Sequence, residues 1–181
     1  MIVTLAAILL AFALRDTAGV VHRQDEWAMK RAVVVFFTTT DCPLSNQYVP
    51  EMNRIRSDYA SRGVGFYAVQ SDLTIADTDV RKHAEEFGFS FPVLFDTKQV
   101  LVRLAGATAT PEAAVLSNAG KVLYLGRIDN RVVDFDKRRP AANELDLRNA
   151  LDAVLAGKPV VRPKTQVVGC AINLTNPEGK P

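Results

Sequence analysis

The chain has 181 residues, 48% of them hydrophobic, enough to bury one full core and giving no reason to expect a second folded domain. Twenty-two Lys and Arg stand against 20 Asp and Glu, a formal charge of +2, and the basic residues are scattered, which leaves no electrostatic case for a nucleic-acid partner. Two cysteines, Cys42 and Cys170, are too few for a disulfide-built scaffold, and the long apolar run Ile2 to Leu14 is shorter than the ~20 residues of a membrane-crossing helix, so no stable membrane span is expected.

That first run reads in two ways. IVTLAAILLAFAL has the apolar core of a secretory signal, and Ala11-Phe12-Ala13 the small-x-small form of a cleavage site, which implies an exported or bacterial periplasmic protein. No Lys or Arg precedes it, however, and Phe12 to Gly19 also reads as an edge strand entering a turn. On that reading residues 1–11 are a short leader and the protein is cytoplasmic.

Arg31 to Phe37 is a continuous apolar stretch, which predicts a central strand buried on both faces. It runs into Thr38-Thr39-Thr40-Asp41, whose hydroxyls and carboxylate suit a helix cap. The helix is expected over Asn46 to Arg62, with Tyr48, Val49, Met52, Ile55 and Tyr59 near helical spacing and Gly63 as its stop. Pro50 inside it predicts a kink or a local break in the hydrogen bonding. Val64 to Gln70 is a second apolar strand, and Asp77 or Thr78 caps a helix reaching Gly88. Phe91 to Phe95 is a short extended piece, and Val100 to Ala105 a helical turn or two.

Beyond Pro111, Ala113 to Ser117 and Val122 to Ile128 form a hairpin about Asn118-Ala119-Gly120-Lys121, because Asn and Gly tolerate positive φ. Asn143 to Ala156 closes the domain as an amphipathic helix stopped by Gly157. A βαβ unit, a helix, a hairpin and a closing helix predict an α/β fold with a central mixed sheet and helices on both faces. The domain is expected over 12–157. The tail 158–181, punctuated by Pro159, Pro163 and Pro177 and carrying Cys170, should lie along the surface or hang free.

Cys42 follows a buried strand and precedes a helix. The unpaired amides and the positive dipole of a helix N-terminus favour thiolate over thiol, and can lower a cysteine from ~8.5 to below neutral. The competing reading is a small buried hydrophobe, to which a polar, capped turn is ill suited.

AVVVFFTTTDCPLSNQYVPEM resembles the active-site segment of the thioredoxin-like superfamily, and within it the redoxin branch, the alkyl hydroperoxide reductase and thiol-specific antioxidant family that includes the peroxiredoxins. FALRDTAGVV resembles the redoxin N-terminal hairpin, TTDC the T-x-x-C, CPLS a C-x-x-C that has lost its second cysteine, and ATATPEAAVL the loop whose proline is cis in thioredoxin folds. The resemblance spans about Phe12 to Ala156. It implies a thiol-based oxidoreductase in which Cys42 attacks a peroxide or a protein disulfide, regenerated by an external thiol reductant such as a thioredoxin-like protein.

It also assigns roles residue by residue. Thr39, three positions before the cysteine, would donate its hydroxyl to the thiolate or to a peroxide oxygen. Peroxiredoxins place a proline seven positions before the cysteine, where this chain has Val35. Arg127 falls where they place a late-strand arginine near the sulfur, although an exposed strand-end cation reads equally well. Ser45 takes the place of the second thioredoxin cysteine and could hydrogen-bond the thiolate without forming a disulfide. Cys170 is the internal candidate for a resolving thiol, with a structural staple or an unpaired tail cysteine as alternatives. A purely structural bridge would stabilise by roughly 4–5 kcal/mol through loop closure. Pro43, Thr110 and Pro111 would bind substrate, Thr110 offering its backbone to a peptide strand if the following bond is cis.

No close pair of metal ligands is present and no metal or other cofactor is expected, His83 reading as a packing or solvated residue. A rival of another class is a non-catalytic module that keeps the fold and holds a peptide in the Pro111 groove.

Overall fold

The computed structural model describes residues 12–175, so the leader-like segment 1–11 lies outside the described residues. A hairpin of β1 (Ala13–Arg15) and β2 (Val21–Arg23) opens the domain, paired antiparallel with Leu14 opposite His22. The main sheet contains β3 (Ala32–Thr38), β4 (Val64–Gln70), β5 (Val93–Phe95), β7 (Glu112–Leu116) and β8 (Val122–Gly126) in the order β5-β4-β3-β7-β8. β3 pairs parallel with β4 and antiparallel with β7, the mixed sheet that the element order required.

All seven residues of β3 are buried, because both faces of the sheet are covered. Ala32, Val34 and Phe36 point to one face, against α1 (Pro43–Tyr59), α2 (Asp77–Glu86) and α4 (Asp146–Leu155). Val33, Val35 and Phe37 point to the other, where Trp27, the first hairpin and α3 (Val100–Ala105) pack. This two-sided burial pins β3, and so fixes where the chain emerges at Thr38.

Several boundaries differ from expectation, each for a local reason. α1 begins at Pro43 rather than Asn46, since a proline at the first helical position needs no amide donor and arrives with a helical φ. It continues past Pro50 to Tyr59 before a short 3-10 turn and left-handed Gly63. Ala76, not Asp77 or Thr78, caps α2, and Asp77 and Asp79 occupy its first turn. α4 starts at Asp146 because the amides of Asn143 and Glu144 donate instead to Asn130 Oδ1 at 3.0 and 3.1 Å.

Over its described residues, 158–175, the tail does not hang free. Leu125 N donates to Pro163 O at 2.9 Å and Thr165 N to Leu125 O at 3.2 Å, so the chain runs along β8. It then adds a strand the sequence did not announce, β9 (Cys170–Ala171), paired antiparallel with β6 (Ala109–Thr110).

Candidate active site

β3 delivers the chain to a turn in which Ser71 donates both its amide and its hydroxyl to Thr38 O, at 3.0 and 2.9 Å. Cys42 is the N-cap residue of α1, and Asn46 N returns to Cys42 O at 3.1 Å as the first helical hydrogen bond. The amides of Leu44 and Ser45 therefore belong to the first turn, where no carbonyl four residues back lies inside the helix. Asn46 Nδ2 donates to Thr40 O at 2.9 Å and its Oδ1 meets His83 Nε2 at 2.8 Å, which requires the tautomer protonated on Nε2. Burial holds the His83 pKa below the ordinary histidine range, so this ring works as a neutral brace for the turn.

Across from the helix start, the Thr110-Pro111 peptide bond is cis. Glu112, buried at the head of β7, accepts the amides of Thr108 at 2.7 Å and Ala109 at 3.3 Å through Oε2, and so fixes the loop before the proline. Thr110 pairs directly with Cys170 in the β6–β9 ladder, and Ile172 N continues that ladder to Thr108 O at 2.9 Å. Cys42 and Cys170 are joined by a disulfide with Cα atoms 6.2 Å apart, spanning 128 positions of chain. Cys42 Sγ also lies 3.2 Å from Thr110 O. The cysteine is only 1% exposed, yet it sits at the opening of a helix and not in the apolar interior, with Cys170 and β9 laid against it.

The structure thus brings Cys42, Cys170, Thr110 and Pro111 together, with Pro43 exposed beside them. Two residues expected to serve the sulfur are engaged elsewhere. Thr39 donates its hydroxyl to Asp41 Oδ1 at 2.8 Å, because a carboxylate two residues on is a stronger acceptor than a disulfide sulfur. Arg127 is turned toward α4, with Nε 2.7 Å from Asp146 Oδ2 and a second contact to Glu144, so two carboxylates hold its guanidinium and it is not a free strand-end cation. Ser45 is buried with its hydroxyl unpartnered, like that of Thr110, and makes no hydrogen bond to the sulfur while the disulfide is closed.

Sequence reasoning missed Glu112 and Gln99. A lone acid in the apolar strand EAAVL was a signal of sorts for the first. Gln99 carried none: it is fully buried, and its side chain holds the main chain of the tail. Among the described residues no group of three or more His, Cys, Asp or Glu side chains could hold a metal ion, and no helix is long and apolar enough to cross a membrane.

A family model described as Redoxin matches residues 7–142. The thiol-disulfide oxidoreductase ResA of Geobacillus thermodenitrificans is 30% identical over 111 residues, 61% of this chain and 62% of that relative, so the chain spans about three-fifths of its length. A crystal structure of an uncharacterized conserved protein from Geobacillus kaustophilus superposes with a TM-score of 0.76 at 29% identity, covering 92% of this chain and 90% of that one. A thioredoxin-family thiol:disulfide interchange protein from Chlorobium tepidum superposes at 0.61 with 21% identity, over 80% of this chain and 93% of its own, a likeness of fold.

Proposed function

From the premise that this chain belongs to the redoxin family, with a thioredoxin-like fold, we propose that it is a thiol–disulfide oxidoreductase whose attacking sulfur is Cys42 and whose resolving sulfur is Cys170. The observation that carries the proposal is the disulfide itself, formed between a cysteine at a helix N-terminus and one on a strand paired beside the cis-proline loop. In the reduced protein the Cys42 thiolate attacks one sulfur of a protein disulfide, forming a mixed disulfide and releasing the other sulfur as thiolate. Cys170 then attacks Cys42 Sγ, freeing the substrate's second thiol and leaving the internal disulfide. The substrate gains two electrons, which an external thiol reductant later restores to the protein.

The first-turn amides of α1 stabilise the thiolate, and Ser45, whose buried hydroxyl is unpartnered in the oxidised state, is the donor available to it. Pro43, Thr110 and Pro111 border the seat of the incoming strand. Because β9 already occupies that seat, resolution is an exchange of strands, the tail taking the place of the departing substrate. Thr39 and Arg127 are committed to carboxylates, which favours disulfide exchange over reaction with a peroxide, where both would be needed free.

The test is turnover of a protein disulfide with dithiothreitol as reductant. Cys42→Ser should abolish it, and reduced Cys170→Ser, mixed with the substrate after the dithiothreitol has been removed, should stop at a mixed disulfide visible as added mass. Full turnover by Cys42→Ser overturns the proposal.

A further inference from the structure

Gln99 precedes α3 with a left-handed backbone, φ 52°, the one non-glycine residue with positive φ among those described. Its position is fixed from below: Gln99 N donates to Asp96 O at 2.8 Å, and the Asp96 carboxylate accepts the amides of Val100, Leu101 and Val102 at 2.6, 2.8 and 3.2 Å. Its side-chain amide is oriented by the domain, Nε2 donating to Ser71 O at 3.1 Å. The same amide then grips the tail by its main chain, Nε2 donating to Asn173 O at 2.8 Å and Oε1 accepting Thr175 N at 2.9 Å. One planar amide thus satisfies a carbonyl and an N–H two residues apart on an extended chain, as a neighbouring strand would.

At the other end of the same segment, a Cβ on Gly169 would lie 2.3 Å from Thr110 O and 2.8 Å from its carbonyl carbon, both backbone atoms of the loop held by Glu112. Between these ends Ile172 packs against the apolar cluster on the α3 face, whereas Ala171, Asn173 and Leu174 are exposed.

We infer that Gln99 is a substrate-binding residue that reads peptide main chain, and that the groove it completes takes an extended polypeptide with glycine just before the reacting cysteine and an apolar residue two positions after it. Residues 169–175 are the occupant this groove holds in the oxidised protein. The inference rests on the exchange chemistry proposed above, and adds to it a reach three and five residues beyond the reacting sulfur together with a steric rule one residue before it.

The test uses the full chain carrying Cys170→Ser, reduced, and a synthetic Val-Val-Gly-Cys-Ala-Ile-Asn-Leu-Thr peptide whose cysteine bears thionitrobenzoate. Cys42 thiolate attacks the peptide sulfur, the Cys42–peptide disulfide forms, the original S–S bond breaks, and thionitrobenzoate leaves as a coloured anion. Valine in place of the peptide's glycine should slow release about tenfold or more, and ending the peptide after the isoleucine, which removes only the main chain that Gln99 holds, should slow it several-fold. The second effect should vanish in Gln99→Leu. The unlinked tail competes with every peptide alike, so the ratios stand. Equal rates for the glycine and valine peptides, no effect of truncation, or a truncation effect that persists in Gln99→Leu overturns the inference. A Cys42 thiol inert toward the small reagent dithiobis(nitrobenzoate) overturns the exchange reading instead.

Discussion

Gly126→Ala should loosen the disulfide from a position 44 residues before Cys170. A Cβ at that position would lie 2.1 Å from Thr165 Oγ1 and, more tellingly, 2.8 and 2.9 Å from the Thr165 carbonyl oxygen and amide nitrogen. Rotating the threonine side chain relieves only the first contact, so the tail backbone must move. Three interactions go with it: Thr165 N to Leu125 O at 3.2 Å, Arg127 N to Thr165 Oγ1 at 3.0 Å, and the Tyr124–Thr165 hydroxyl pair at 2.8 Å. At a net ~1 kcal/mol each, docking weakens by about 3 kcal/mol. Docking is what presents Cys170 to Cys42, so the dithiol–disulfide equilibrium shifts toward the dithiol by roughly 150-fold, raising the reduction potential by about 65 mV. Equilibration in graded dithiothreitol buffers, followed by alkylation of free thiols and mass spectrometry, reads this directly. A folded Gly126→Ala protein whose potential moves by less than about 10 mV would refute the view that the tail's seat along β8 governs the bond.

The disulfide closes 128 positions of chain, which on the loop-closure argument stabilises the fold by about 5 kcal/mol. Urea unfolding of the oxidised protein against Cys170→Ser should show most of that difference, and a gap under about 1 kcal/mol would contradict it. The two histidines should titrate on opposite sides of the ordinary value of 6.5. Partial burial works against the His22 imidazolium, but Glu26 and Asp16, each 3.0 Å from a ring nitrogen, outweigh it and raise the pKa. His22 therefore lends stability that is full below about pH 6.5 and is lost as pH rises through its folded value. His83, lowered by burial, does the reverse: its contribution is present above about pH 6.5 and is lost as pH falls through its folded value. Proton NMR titration of the two rings checks the order, and a His22 value at or below that of His83 would be inconsistent with the Asp16–His22–Glu26 cluster.

The fold was largely legible because its strongest signals are local. Ala32–Thr38 reads as a central strand from its unbroken apolar run, and Gly63 and Gly120 mark a helix stop and a turn that need left-handed backbone. The sulfur's place at a strand-to-helix junction followed from the same signals, and the cis proline only from family resemblance. What stayed hidden depends on partners distant in sequence. Whether Cys170 bridged to Cys42 turned on the fit of Thr165 to Gly126 and of Gly169 to Thr110, contacts that no periodicity encodes. Thr39 and Arg127 were read by position, but a hydroxyl or a guanidinium goes to the nearest good acceptor. Asp41, Glu144 and Asp146 are those acceptors here. Gln99 looks like an ordinary polar loop residue until the tail is laid over it.

The path of residues 163–165 also bears on how these molecules behave toward one another. β8 is the last strand of the main sheet, and Pro163 and Thr165 occupy the amide and carbonyl of Leu125 on its outer side. Whatever lifts the tail bares those groups, and an uncapped margin of a sheet is an invitation to self-association. Opening the sulfur bond and becoming sticky are, in this architecture, consequences of one movement.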